Sequence, residues 1–223
     1  MFPLINSFMK KILLIALLLL QISVYSQNNT QWSFGLEFST DNLSFSRDGD
    51  RTDYIVTDGN INGYAVEFDK NNYSFGITAD YFIQQSLGLS SGILYANKDL
   101  MGTYNCATCD YFYSFPLSVS QTLKQRFLSI PISINYNFLK GRLKPIVEGG
   151  LNNNFEIEND LDTISKGYFL EVFIGASIYY EFIENLEAGI GYNYQAAISD
   201  LYKTDEFNLR TNSFSFRINY LFN

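Results

Sequence analysis

From Trp32 to Phe222 the chain alternates apolar and polar residues with a period of two, the repeat of a β-strand with two unlike faces. The longest uninterrupted case sets Leu128, Ile130, Ile132, Ile134, Tyr136 and Phe138 against Phe127, Ser129, Pro131, Ser133, Asn135 and Asn137. A helix would scatter those apolar side chains around its circumference. The same alternation recurs from Trp32 to Ser39, Tyr73 to Tyr81, Leu87 to Tyr95, Leu143 to Phe155, Leu170 to Phe182, Leu186 to Gln195 and Phe214 to Phe222. Together these make eight segments, enough to close a barrel. Tight connections at Gln84-Gln85-Ser86, Leu139-Lys140-Gly141-Arg142 and Ile183-Glu184-Asn185 alternate with long ones over Ser46–Asn72, Lys98–Lys124, Ile157–Gly167 and Ser199–Asn212. All tight turns therefore fall at one end of the meander and all long loops at the other, the asymmetry of a transmembrane barrel. A shorter run, Tyr64-Val66-Phe68, with Asp53–Thr57 and the Asp58-Gly59 turn signal, predicts an extra hairpin protruding within the first long loop; ten barrel strands is the alternative count.

Alternation alone does not say which face is inside, and a soluble lipocalin-like barrel binding an apolar ligand would alternate too. Residue size favours the membrane form. The polar face is mostly Gly, Ser and Asn, which fit a narrow lumen, and the apolar face ends beside the tight turns in Tyr136, Phe138, Tyr180, Phe182, Tyr220 and Phe222, where an interfacial girdle belongs. The expected fold is thus an all-β, eight-stranded antiparallel up-and-down transmembrane barrel. Its lumen would hold the charges Glu37, Asp80, Lys144, Glu148, Glu171, Glu181 and Arg217. A lone buried charge is costly. Counting from the tight-turn end pairs Glu37 with Arg217 across the first and last strands, and Lys144 with Glu181; Asp80, Glu148 and Glu171 have no evident cation and are expected to be hydrated.

Ahead of the strands, residues 9–27 read MKKILLIALLLLQISVYSQ, a basic start, a short apolar run and small residues at a cleavage position. The run is too short to span a bilayer as a helix. The expected division is a signal peptide over 1–26, initiated at Met1 or Met9, and an outer-membrane β-barrel domain over 27–223. Cleavage after Ser26 leaves 197 of the 223 residues and removes Lys10 and Lys11, so 13 basic residues remain against 23 acidic, a net charge of −10. That balance argues against nucleic acid as a partner.

The same alternation, with Ser74-Phe75-Gly76, Leu87-Gly88-Leu89, Gly92-Ile93-Leu94-Tyr95, Ser129-Ile130-Pro131, Lys144-Pro145, Gly149-Gly150, Gly175 and Gly189-Ile190-Gly191-Tyr192, resembles the outer-membrane β-barrel domain family common in Bacteroidota, the OmpA-like or PorT-like eight-stranded barrels. The resemblance implies an outer-membrane location and insertion by the barrel-assembly machinery. Such barrels tend to end in an aromatic residue, whereas here Asn223 follows Phe222.

Candidate chemistry is sparse. The chain has no histidine, which removes Ser-His-Asp and Cys-His nucleophiles and the usual zinc sites. Cys106 and Cys109, four residues reading Cys-Ala-Thr-Cys in an exported loop, predict a small disulfide ring. The expectation is a structural or interaction protein without catalysis, cofactor or metal. It would be bounded by outer-membrane lipid and meet an envelope or extracellular partner through its long loops. The alternatives are a narrow, porin-like conduit for small solutes or ions, and the soluble binder of an apolar ligand.

Overall fold

A computed structural model describes residues 31–45, 53–57, 62–67, 72–84, 86–106, 120–139, 141–203 and 209–222. Eight long strands build the body: β1 (Gln31–Phe45), β4 (Asn72–Phe82), β5 (Leu87–Asn97), β8 (Gln125–Asn137), β9 (Leu143–Asn159), β10 (Tyr168–Ile183), β11 (Leu186–Ala197) and β12 (Leu209–Phe222). They close in the order β1-β12-β11-β10-β9-β8-β5-β4, every pair antiparallel, with β4 returning to β1. The three short connections behave as tight turns should. Asn185 takes the left-handed conformation (φ 65°) that the Glu184-Asn185 hairpin requires, and in the looser first turn Ile83 N donates to Leu87 O at 3.0 Å.

The apolar face points outward. Leu36, Ile174, Ile190 and Phe214 are each about two-thirds exposed, the others on that face about half, so this surface belongs to lipid. The small polar face points in: Ser33, Ser129, Asn154, Glu171 and Thr211 are wholly buried. An interior of this kind does not suit an apolar ligand, which overturns the lipocalin-like alternative. The girdle beside the tight turns is present, with Trp32 packed on Tyr81 and Tyr220 on Phe222. A second girdle, not anticipated from sequence, rings the far end through Tyr73, Tyr95, Phe155, Tyr168, Tyr192 and Phe214.

The two longest connections are not plain loops. β2 (Asp53–Val56) and β3 (Gly63–Glu67) form the expected hairpin, but they join β6 (Leu100–Asn105) and β7 (Ser120–Leu123) in a separate sheet of order β2-β3-β6-β7. Ten barrel strands is therefore not the count. These strands have four to six residues, too few for the nine to eleven or so that a tilted membrane strand needs. Their buried side chains, Ile55, Val66, Leu100 and Leu123, join Leu43, Phe127, Leu161, Ile164, Phe169, Leu201, Tyr202 and Leu209 in one apolar cluster. All four outer connections contribute to it. The long-loop end of the barrel is thus covered by a conventional hydrophobic core standing above the polar lumen.

Candidate functional site: the lumen and its cap

The lumen is organised in three polar layers. Nearest the tight turns, Lys144 Nζ lies 2.8 Å from Glu187 Oε2 and 3.5 Å from Glu181 Oε2. Asn219 Nδ2 donates to the other Glu187 oxygen at 3.1 Å. Lys144 and Glu181 are therefore neighbours, but the closer and more deeply buried partner is Glu187, a residue of the Leu186 to Gln195 run outside the expected set of lumen charges.

In the middle layer Arg217 of β12 stands directly opposite Glu37 of β1 in the strand register. Its Nε donates to Glu37 Oε2 at 2.8 Å, and a terminal nitrogen of the guanidinium reaches the same oxygen. The other terminal nitrogen lies 3.7 Å from Asp80 Oδ1. Asp80 also accepts from Ser33 Oγ at 2.8 Å and from Ser90 Oγ, whose oxygen in turn accepts from Asn135 Nδ2 at 2.7 Å. Asp80 therefore does have a cation, contrary to the expectation of simple hydration; strand tilt brings β4 beside Arg217. The Tyr179 ring lies across Gly189 on the adjacent strand, occupying the space a β-carbon would need. Glu148 accepts from the Asn193 amide at 3.1 Å once that amide is oriented as its neighbours demand.

The upper layer sits beneath the apolar cap. Lys98 Nζ reaches both oxygens of Glu171, at 3.2 and 3.3 Å, and Thr211 Oγ1 at 3.1 Å. Glu171 is completely buried and Lys98 nearly so. Asn154 Nδ2 donates to Glu171 at 2.8 Å, and the Lys98 ammonium lies 5.8 Å from the centre of the Phe169 ring. Glu171 is thus not left to water. The alternation expected from sequence ends at Tyr95 and places Lys98 at the start of a long connection, yet the inward series Ser90, Gly92, Leu94, Ala96 of β5 continues to position 98 by parity.

Between the middle and upper layers remains a cavity of ≈ 50 Å³, lined by Ser39, Asp41, Glu148, Asn152, Lys98 and Arg217 among others. Among the described residues no three metal-binding side chains gather closely enough to hold a metal ion directly. Cys106, at the end of β6, is disulfide-bonded, and Cys109 lies outside the described residues. At the rim, Arg126 pairs with Glu158 and Lys166 Nζ lies 2.8 Å from Asp200 Oδ2, both partly exposed to solvent.

Three solved structures compare with this arrangement. Neisserial surface protein A is similar with a TM-score of 0.52 at 15% identity, over 85% of this chain and 96% of that one. Ail, the attachment invasion locus protein of Yersinia pestis, solved with the heparin analogue sucrose octasulfate, gives 0.45 at 12% identity over 87% and 99%. The outer membrane enzyme PagL gives 0.40 at 9% identity over 82% and 97%. Only the first similarity is strong enough to bear on the fold, and at 15% identity it shows a likeness of fold alone. No curated protein matches by sequence. A family model matches residues 12–222, and with it the chain belongs to the outer membrane protein beta-barrel domain family and resides in the outer membrane.

Proposed function

We propose that this protein is a non-catalytic anchor whose barrel holds the β2-β3-β6-β7 sheet clear of the membrane and presents it to a partner in the envelope or outside the cell. The observation that carries this reading is the seating of that sheet: one face buries Ile55, Val66, Leu100 and Leu123 in the cap, and the other is partly open to solvent at Ala65, Met101, Thr103 and Thr122 and fully so at Ser120. On the outward face Thr103 and Ser120 hydrogen-bond to each other at 2.8 Å in an exposed setting. A loop with no task has no need of a core of its own. The three polar layers across the lumen favour this role over passage of solutes. Export through residues 1–26 and insertion by the barrel-assembly machinery belong to the same proposal.

Photo-crosslinking from position 103 in whole cells, with position 174 on the lipid face as control, tests it. A discrete protein adduct at 103, and loss of the protein's phenotype when residues 46–71 and 99–124 are replaced by short turns in a barrel that still shows heat-modifiable gel mobility, are the expected results. Full complementation by the short-loop barrel would refute the reading.

A further inference from the structure

The apolar belt is taller on one side of the barrel than on the other. Following paired residues around the wall from Asn42, through Ile174 on β10 and Ile134 on β8, returns to β1 at Trp32, ten residues below the start. Each of the eight steps therefore lowers the path by about ten-eighths of a residue, so Asn212, Tyr194, Ile174 and Gly149 lie about one, two and a half, four and five residues below Asn42. With about 3.3 Å per residue along strands tilted by about 40°, one residue of height is about 2.5 Å. On this scale the lower edge of the belt is level: Trp32, Phe222, Phe182, Leu143, Phe138 and Tyr81 all lie about nine to twelve residues below Asn42. Its upper edge is marked by the outward polar residues Thr40, Asn212 and Asn153, about one to two residues below Asn42. The interval is about nine or ten residues, or about 24 Å, the height of lipid that such a barrel spans.

On β9, β10 and β11 the apolar side chains carry on past that edge. Phe155, Ile198, Tyr168 and Ile157 stand about one to three residues above Asn42, the height at which β1 and β12 present Asn42 and Arg210. Ile157 is 57% exposed and Ile198 58%; Phe155 and Tyr168, packed ring on ring, are exposed as well. Tilting the barrel does not sink this flank in lipid, because the same tilt would push Phe182 and Leu143 out of the lipid below. The flank is bordered by balanced charge, Arg126 with Glu158 and Lys166 with Asp200, so an apolar centre stands inside a polar rim. Four half-exposed side chains offer on the order of a few hundred Å², less than the roughly 800 Å² per partner of a stable interface. Whatever covers them must therefore also use the wall beneath, where the outward residues of β10 from Tyr168 to Phe182 are apolar without a break.

We propose that two copies of this chain pair side by side in the outer membrane through β9, β10 and β11, with Phe155, Ile157, Tyr168 and Ile198 of each covering those of the other above the lipid. The occupant has to be embedded in the membrane and apolar to the same excess height, and a second copy presents that profile. A two-fold axis along the membrane normal, facing β10, sets equal heights together, so flank meets flank and no residue of the rim brings an unbalanced charge. The inference uses the outside of β9–β11 and not the outer sheet. In the crosslinking experiment above, the lipid-face position 174 should then give an adduct of two chains only, distinct in mass from a partner's adduct at 103, so the two readings fail separately.

The full-length protein carrying Ile174→Cys or Ile198→Cys, and Ile77→Cys on β4 across the barrel as control, is treated in whole cells with a short bis-maleimide. All three side chains are exposed on the lipid face or just above it, and Cys106 is already disulfide-bonded. A covalent product of twice the chain mass should form from positions 174 and 198 and not from 77. Light scattering of the purified protein in mild detergent should give two chains per particle. I157N/I198N should keep heat-modifiable gel mobility while losing both the product from position 174 and the doubled mass. Equal yield from position 77 would mean random collision and overturns the proposal. So does an adduct only with a different protein, a native protein that stays single because lipid covers the flank, or pairing that survives I157N/I198N.

Discussion

The sharpest energetic test lies at Lys98 and Glu171. At 3.2 Å, two unit charges attract by about 5 kcal/mol at an effective dielectric of about 20, and desolvating both offsets most of that gain. The pair as a whole then contributes little, while either half alone is a serious liability. Lys98→Met keeps most of the side-chain volume but leaves Glu171 charged and buried, with only the Asn154, Asn152 and Thr211 donors. The expected cost is about 3–5 kcal/mol, a large share of the roughly 5–15 kcal/mol that holds a typical domain together. Glu171→Gln leaves the ammonium stranded beside Phe169 at similar cost. The double variant K98M/E171Q removes both charges, and its glutamine can still accept from Asn154, so it should cost no more than about 1–2 kcal/mol.

Urea unfolding in detergent, followed through the fluorescence of Trp32, the chain's single tryptophan, measures all four corners of the cycle. With a slope of about 2 kcal/mol per molar urea, each single variant should shift the midpoint down by about 2 M and the double by less than about 1 M. If K98M costs under about 1 kcal/mol, or if the double costs the sum of the singles, the two side chains are not acting as a buried pair and the layered account of the lumen is wrong.

Three further outcomes follow from the same geometry. R217E, which leaves Glu37 and Asp80 without their cation, should cost about 3–5 kcal/mol or block folding, with partial recovery on adding E37R; refolding yield by gel mobility measures it, and no recovery would count against the Glu37–Arg217 contact. Gly189→Ala puts a methyl group where the Tyr179 ring now lies, and should cost about 1–3 kcal/mol and alter the near-ultraviolet circular dichroism; an unchanged spectrum would mean that the ring does not rest there. Tyr202 is buried in the cap, and burial raises its phenol above the ordinary value of 10.0. The unfolded chain therefore loses this proton first, so the stabilisation is complete below about pH 10 and falls as pH rises above it. Between pH 10 and 11 the native protein should lose up to about 1.4 kcal/mol more unfolding free energy than Y202F, and parallel curves would refute that burial.

Much of the barrel is legible in the sequence because a membrane strand must satisfy two solvents at once. Lipid on one side and a narrow polar lumen on the other enforce strict alternation, as along Leu128–Phe138, and a one-residue slip would reverse every side chain. The Glu37–Arg217 contact could be counted because β1 and β12 are neighbours and both end at the tight turns. Asp80 could not be joined to them by counting alone, since its approach depends on tilt across three strands. Lys98 was hidden for a different reason: a charged residue next to Asp99 reads as a loop when the strand's parity is not carried forward. β6 and β7 were hidden because four to six residues give too short a period to recognise, and their apolar positions make sense only against side chains from three other connections.

The cap nevertheless leaves a mark in the sequence, because the solvent changes along each strand. Inside the bilayer the inward positions are polar and the outward ones apolar. Toward the outer ends of β1 and β12 both faces invert. On β1 the inward series passes from Ser39 and Asp41 to Leu43, and the outward one from Phe38 to Thr40 and Asn42. β12 repeats it in reverse chain direction, with inward Ser213 and Thr211 giving way to Leu209 and outward Phe214 to Asn212 and Arg210. On β10 Glu171 is followed inward by Phe169, and on β8 Ser129 by Phe127 with Arg126 outside. On β1 and β12 the inversions lie at one level, since Asn42 faces Asn212 and Leu43 faces Thr211 across their ladder. They mark where the strands leave lipid and enter water, the only place where burying apolar surface again lowers the free energy. The outer sheet is held by that return of the hydrophobic effect, on strands whose membrane segments are held by the opposite arrangement.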